Sequence, residues 1–168
     1  MDRSTKGSYD DDIVELLTAI NKHAEYKTTS SCSGRIAIID CQKKAISSWL
    51  FKSHDTVKAD DIIKTVKNCS ETVWFMQEPL IIHVKCASLD AAEKLLEIAH
   101  ATGLKHSGII SLKSLMVELR SHERVEVPVN KKFNDEELQV IVLESNGKLL
   151  RTKEKIQKLF AVFEKEKL

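Results

Sequence analysis

Apolar residues recur at Ile13, Leu16, Leu17 and Ile20, the spacing of one narrow helical stripe. Ser8 or Asp10 suits its N-cap. Asp10, Asp11, Asp12 and Glu15 crowd its first turn, where the helix dipole favours carboxylates. Residues 1–9 lack a pattern and are expected to be frayed. From Tyr26 the rhythm changes. Tyr26 to Ser31 is β-branched and Ser-rich, Gly34 breaks it, and Arg35 to Asp40 follows as a buried strand. Ile46 to Ser53 reads as another strand around Trp49 and Phe51. Ile62, Ile63 and Val66 restore helical spacing over 60–69. Thr72 to Gln77 and Leu80 to Cys86 suit strands with Pro79 between them. Leu89 to Ala101 is the clearest helix, lined by Ala91, Leu95, Leu96 and Ala99 and closed by Gly103. Strand-like runs follow at 107–112, 115–120 and 124–129. Two helices end the pattern, 135–144 and 148–167, loosely joined at Asn146-Gly147.

Strands come in groups between helices rather than singly. That order predicts an α+β fold, a single domain over 1–168 with a largely antiparallel β-sheet and helices packed around it. Residues 148–168 form its C-terminal helix, an amphipathic one with solvated Lys and Glu.

Composition narrows the function. Lys+Arg 26 against Asp+Glu 25 leaves a net charge of +1, so any anion site must be a local patch. No apolar run approaches the ~20 residues that cross a bilayer, and the polar start is no secretory signal, so a cytoplasmic protein without a membrane partner is expected. The four cysteines form no C-x-x-C pair, which disfavours a disulfide framework or an iron–sulfur radical enzyme. His83 and Cys86 stand three apart in a strand and face opposite sides, so no metal is expected there. Neither G-x-G-x-x-G nor G-x-x-x-x-G-K-[ST] occurs, which removes support for a Rossmann cofactor site and a P-loop.

The most unusual stretch is Thr28-Thr29-Ser30-Ser31-Cys32-Ser33-Gly34-Arg35. Its hydroxyls and the backbone near Gly34 suit a phosphate or carboxylate, with Arg35 as a bidentate clamp. Strand alternation puts Ser31, Ser33 and Arg35 on one face, opposite Ser30 and Cys32. A Ser-rich turn before a strand explains the same residues. Cys32 as a nucleophile needs a base, with His54 and His83 as candidates; a small structural thiol is the plainer reading. Arg120-Ser121 ends a strand, and Arg35 and Arg120 are two of only five arginines. They either converge on one anionic ligand or make surface ion pairs.

Taken in order, Lys6-Gly7-Ser8, Asp12 to Leu16, the 28–35 block, Ser48-Trp49-Leu50, His54, His83 to Cys86, His106-Ser107-Gly108-Ile109, Arg120-Ser121, Glu126-Val127-Pro128, Asn146 and Lys148 resemble the tRNA wybutosine-synthesizing protein 3 family. The resemblance spans roughly residues 6–160, and the compact length is similar to that of archaeal members. It implies an S-adenosyl-L-methionine-dependent methyltransferase acting on N-4 of a 4-demethylwyosine-type base 3′ of the anticodon in tRNA-Phe. Within it, Asp12, His54 and His83 are the candidate proton acceptors, with none preferred. Ser30, Ser31, Ser33, Arg35, Ser107, Arg120 and Ser121 are candidate cofactor-binding residues. Lys6, Trp49, Lys52, Lys105 and Lys148 are candidates for tRNA binding, Trp49 by stacking on a base. A non-catalytic tRNA-binding module that assists another modification enzyme is the alternative.

Overall fold

The computed structural model describes residues 10–40 and 48–165. The expected fraying of residues 1–9 and the site residue Lys6 lie outside them. A 3₁₀ turn, Asp11–Ile13, leads into α1 (Val14–Asn21), followed by β1 (Tyr26–Cys32), β2 (Arg35–Asp40), β3 (Ser48–Ser53), α2 (Ala59–Lys67), β4 (Val73–Glu78) and β5 (Ile81–Cys86). Then come α3 (Leu89–Ala101), β6 (Gly108–Ser111), β7 (Met116–Arg120), β8 (Val125–Val129) and α4 (Asp135–Lys165). Every strand pairing among the described residues is antiparallel, so the α+β class read from the grouped strands holds. The strands form two sheets of four, in the orders β1-β5-β7-β6 and β3-β2-β4-β8.

The chain threads through two compact units. The first draws on Met1–Ser33, Pro79–His122 and Thr152–Leu168; the second on Gly34–Glu78 and Glu123–Arg151. In the first, Ile82 and Val84 of β5 and Val117 and Leu119 of β7 bury against Leu16 and Ile20 of α1, Leu95 of α3, and Leu159 and Phe163 of α4. Strand alternation leaves His83, Glu118 and Arg120 on the other face of that sheet. The Asn21 side chain fixes the start of β1, accepting from Thr28 N–H at 2.9 Å and donating to Thr28 Oγ1 at 2.7 Å. In the second, Ile36 and Ile38 of β2 and Phe75 of β4 bury against Ile62 and Val66 of α2 and Leu138, Val142 and Leu149 of α4.

Helix α3 ends where Gly103 was expected to end it. Gly103 has φ +93°, its N–H donates to His100 O, and Leu104 N–H donates to Ala99 O at 2.8 Å. Those two bonds form a Schellman cap, with Leu104 fully buried behind it.

The expected break at Asn146-Gly147 is absent: Asp135 to Lys165 is one helix of 31 residues. The reason is a tertiary clamp. Asn146 Oδ1 accepts from Val57 N–H and its Nδ2 donates to Val57 O, both at 2.9 Å. With Leu149 buried one turn on, these contacts outweigh the helix penalty of a glycine, about 1 kcal/mol.

Cys86 packs in the core of the first unit, and its thiol is pushed up to about 11 by burial, with the Glu25 carboxylate adding to the rise.

These features carry opposite signs for two glycines. Gly147→Ala is expected to stabilise the protein by about 0.5–1 kcal/mol, because the site is helical and an added Cβ meets only the far end of the long Arg151 side chain, at 3.4 Å. Gly103→Ala is expected to cost about 1–2 kcal/mol, from its positive φ and a Cβ 3.3 Å from Lys155 Cε. Urea titration measures both, and the same sign for the two contradicts the account. At pH 8 a thiol with a pKa of about 11 is ionised to roughly one part in a thousand. Cys86 is therefore expected to resist iodoacetamide in the native protein and react in urea, and native labelling at the unfolded rate contradicts this.

Candidate active site

A β-bulge builds the most organised polar group. Thr28 pairs with Val84 and Ser30 with His83, so Thr29 is the extra residue in β1. The bulge reverses the alternation: Thr28 stays on the core side, and Ser30 turns to the opposite face. There it meets His83 of β5, which stands opposite Glu118 of β7. Ser30 Oγ lies 2.8 Å from His83 Nδ1, and His83 Nε2 lies 2.9 Å from Glu118 Oε2. A carboxylate only accepts, so Nε2 carries the proton, and Nδ1 of the neutral ring accepts from the Ser30 hydroxyl. Arg120, two residues along β7, puts Nη1 3.6 Å from Glu118 Oε1. Side-chain exposures of 30% for His83, 21% for Glu118 and 34% for Arg120 leave the row within reach of a ligand.

Ser31 follows the bulge and pairs with Ile82, on the core side. Its hydroxyl is buried without a hydrogen-bond partner among the described residues. The same is true of Ser121, whose N–H donates to Leu80 O at 3.3 Å. Two orphaned hydroxyls thus sit near one end of this sheet. Each lacks a bond that a buried polar group normally finds.

Close by in sequence, the Ser33 N–H donates to an Asp10 carboxylate oxygen at 3.0 Å. Asp10 does precede the first helical turn, but it makes no side-chain cap there. Lys153 of α4 pairs with Asp12 and donates to Ser33 Oγ at 3.2 Å. Asp12 is therefore a charged partner of Lys153.

Ser107 is engaged locally: its hydroxyl donates to Leu104 O at 2.7 Å and accepts the Arg120 N–H at 3.0 Å. It thereby ties the turn before β6 to the end of β7. Lys105 is exposed in that turn.

In the second unit Arg35 opens β2. The expected shared face of Ser31, Ser33 and Arg35 does not carry through, because β1 ends at Cys32 and Gly34 turns the chain at φ +90°. Arg35 Nε pairs with Glu78, and its Cζ lies 4.5 Å from the Trp49 ring centroid. Lys52 Nζ stands 5.8 Å from the same ring, and Trp49 remains 45% exposed. His54 Nδ1 donates to Gly34 O at 2.9 Å, which makes Nε2 the acceptor nitrogen of the neutral ring. Lys148 Nζ lies 3.7 Å from Glu144 Oε1, one turn away on α4. Arg35 and Arg120 belong to different units, and each holds a glutamate of its own unit.

Ser30 and His83 are thus brought together. Glu118, Lys153 and Glu78 complete local networks without having been singled out in the sequence. Glu118 had a readable signal: in Met116 to Arg120 it alternates with buried Val117 and Leu119, so it shares a face with Arg120. Lys153 had none, being one lysine among many in an amphipathic helix.

Comparison with known proteins places the chain in a family. The family described as Methyltransferase TYW3 matches residues 1–165. A protein of Archaeoglobus fulgidus is 41% identical over 157 residues, covering 89% of this chain and 80% of its own length. One of Thermococcus sibiricus is 42% identical over 168 residues, covering 94% of this chain and 85% of its own length. Both are named tRNA(Phe) 7-((3-amino-3-carboxypropyl)-4-demethylwyosine(37)-N(4))-methyltransferase. The solved structure of PH1069 protein from Pyrococcus horikoshii superposes with a TM-score of 0.86 at 36% identity, covering 94% of this chain and 87% of that one. The family match over residues 1–165, the identity to these relatives and the shared fold agree: the chain belongs to the methyltransferase TYW3 family.

Proposed function

We propose that this protein is an S-adenosyl-L-methionine-dependent methyltransferase that methylates N4 of the 7-(3-amino-3-carboxypropyl)-4-demethylwyosine base at position 37, on the 3′ side of the anticodon in tRNA(Phe). The observation that carries the reading is identity of 41–42% to relatives named for that reaction, across at least four-fifths of their own lengths.

The residues present suit the methyl donor. The orphaned hydroxyls of Ser31 and Ser121 are buried polar groups of the kind that a ligand with many polar atoms satisfies. Arg120 beside Ser121 offers a guanidinium to a carboxylate. When bound, S-adenosyl-L-methionine supplies a methyl carbon already activated by its sulfonium. The protein's own work is then to position a ring nitrogen and to receive its proton. For the tRNA, exposed Trp49 offers a stacking surface braced by Arg35 and Lys52. Lys105, Lys148 and Lys6 supply charge to the phosphate backbone. His54 and Asp12 remain candidate proton acceptors beside His83.

Ser121→Ala separates a ligand-binding hydroxyl from a structural one by sign. Without donor, removing an unsatisfied buried hydroxyl is expected to raise stability by about 1 kcal/mol; with donor, affinity is expected to fall about 2- to 10-fold as one hydrogen bond is lost. Thermal melts and calorimetry read the two effects. Lower stability with unchanged affinity contradicts the assignment. For the activity itself, transfer of a labelled methyl to tRNA(Phe) carrying the demethylated base is expected from the wild-type protein. A gel shift without label transfer supports the non-catalytic module instead.

A further inference from the structure

We infer that Ser30, His83 and Glu118 form a proton relay, in which the Ser30 hydroxyl meets the N–H of the target nitrogen, His83 Nδ1 receives the proton, and Glu118 positions the imidazole. The inference rests on the methyltransferase reading above and deepens it. It singles out one of the three candidate acceptors and adds Glu118, which was not among the candidate site residues.

The geometry argues for a relay rather than a surface ion pair. Three side chains on three adjacent strands join end to end, Ser30 to His83 at 2.8 Å and His83 to Glu118 at 2.9 Å. The polarity runs one way. Glu118 can only accept, which fixes the Nε2–H tautomer and leaves Nδ1 basic towards Ser30. This is the order of an acting group, a base and an orienting carboxylate. The bulge at Thr29 has a purpose in this light, since without it Ser30 would share the core face with Thr28. The other two candidates are placed differently. Asp12 is engaged in an ion pair with Lys153. His54 spends Nδ1 on the backbone carbonyl of Gly34.

The proton balance closes. The target nitrogen loses its proton to Ser30 Oγ as the Ser30 proton passes to His83 Nδ1, so one proton moves net from ring nitrogen to imidazole. The nitrogen's electron pair forms the bond to the methyl carbon while the methyl–sulfur bond breaks and leaves its pair on sulfur. The imidazolium, held by Glu118, then releases its proton to water. Among the described residues, the charged groups on the His83 side of these strands are Glu118 and Arg120 of β7, Lys85 of its own strand and Lys27 of β1, which pairs with Lys85.

Single-turnover methylation of demethylated tRNA(Phe) by the wild type, Ser30→Ala, His83→Ala, Glu118→Gln and Glu118→Asp tests this, with circular dichroism and tRNA binding confirming folded protein. His83→Ala is expected to lower the rate at least about a hundredfold, with tRNA affinity within about threefold of wild type. Glu118→Gln is expected to slow the step and move the acid limb of the pH–rate profile, and Glu118→Asp to restore part of the rate. Independently of activity, ¹⁵N NMR of the imidazole in the free protein should report the Nε2–H tautomer in wild type and a mixture in Glu118→Gln. A Ser30→Ala or His83→Ala rate within about twofold of wild type, or an unaltered tautomer and pH profile in Glu118→Gln, overturns the relay. Absence of methyl transfer by the wild type overturns the methyltransferase reading instead, and it is seen before any variant is compared.

Discussion

The antiparallel register of β1, β5 and β7 is the constraint on which the chemistry depends. Side chains in a sheet meet only across hydrogen-bonded rows, and a slip of one residue sends each to the wrong face. One extra residue in β1 sets that row. It keeps Thr28 on the core face with Val84, where Asn21 holds it, while Ser30 crosses to the face that carries His83, Glu118 and Arg120. The same sheet therefore supplies a packed core on one side and an ordered polar row on the other.

That division explains where the fold tolerates imperfect polar chemistry. Burying a hydroxyl without a partner costs about 1–3 kcal/mol, yet Ser31 and Ser121 both do so near one end of this sheet. The neighbouring polar groups are paired: Asp10 holds the Ser33 N–H, Lys153 bridges Asp12 and Ser33, and Ser107 holds the Arg120 N–H. In the second unit, Trp49 keeps close to half of its surface exposed while Arg35 and Lys52 brace it.

Much of the fold was legible because its elements carry strong periodicity. The strand Arg35–Asp40 and the helix Leu89–Ala101 begin and end where their apolar runs do, and Gly103 caps the helix with a positive φ. The split of α4 was misread because local chemistry argued for a turn. Asn-Gly is a strong turn signal, and only the distant backbone of Val57, bonded twice to Asn146, overrides it. Division of the strands between two sheets was equally hidden, since pairing is a non-local choice. In the site, the hydroxyl-rich block stood out by composition, but the bulge that separates Ser30 from Ser31 leaves no mark in a run of small polar residues. Glu118 and Lys153 matter through partners 35 and 141 residues away, His83 and Asp12, and no local pattern encodes such distances.

The most direct measurement is a crystal structure of the protein with S-adenosylhomocysteine and an anticodon stem-loop bearing the demethylated base. The account predicts the target ring nitrogen within about 3 Å of Ser30 Oγ, with the Ser30–His83–Glu118 row intact. A target nitrogen seated against Asp12 or His54, with Ser30 turned away from the base, contradicts it.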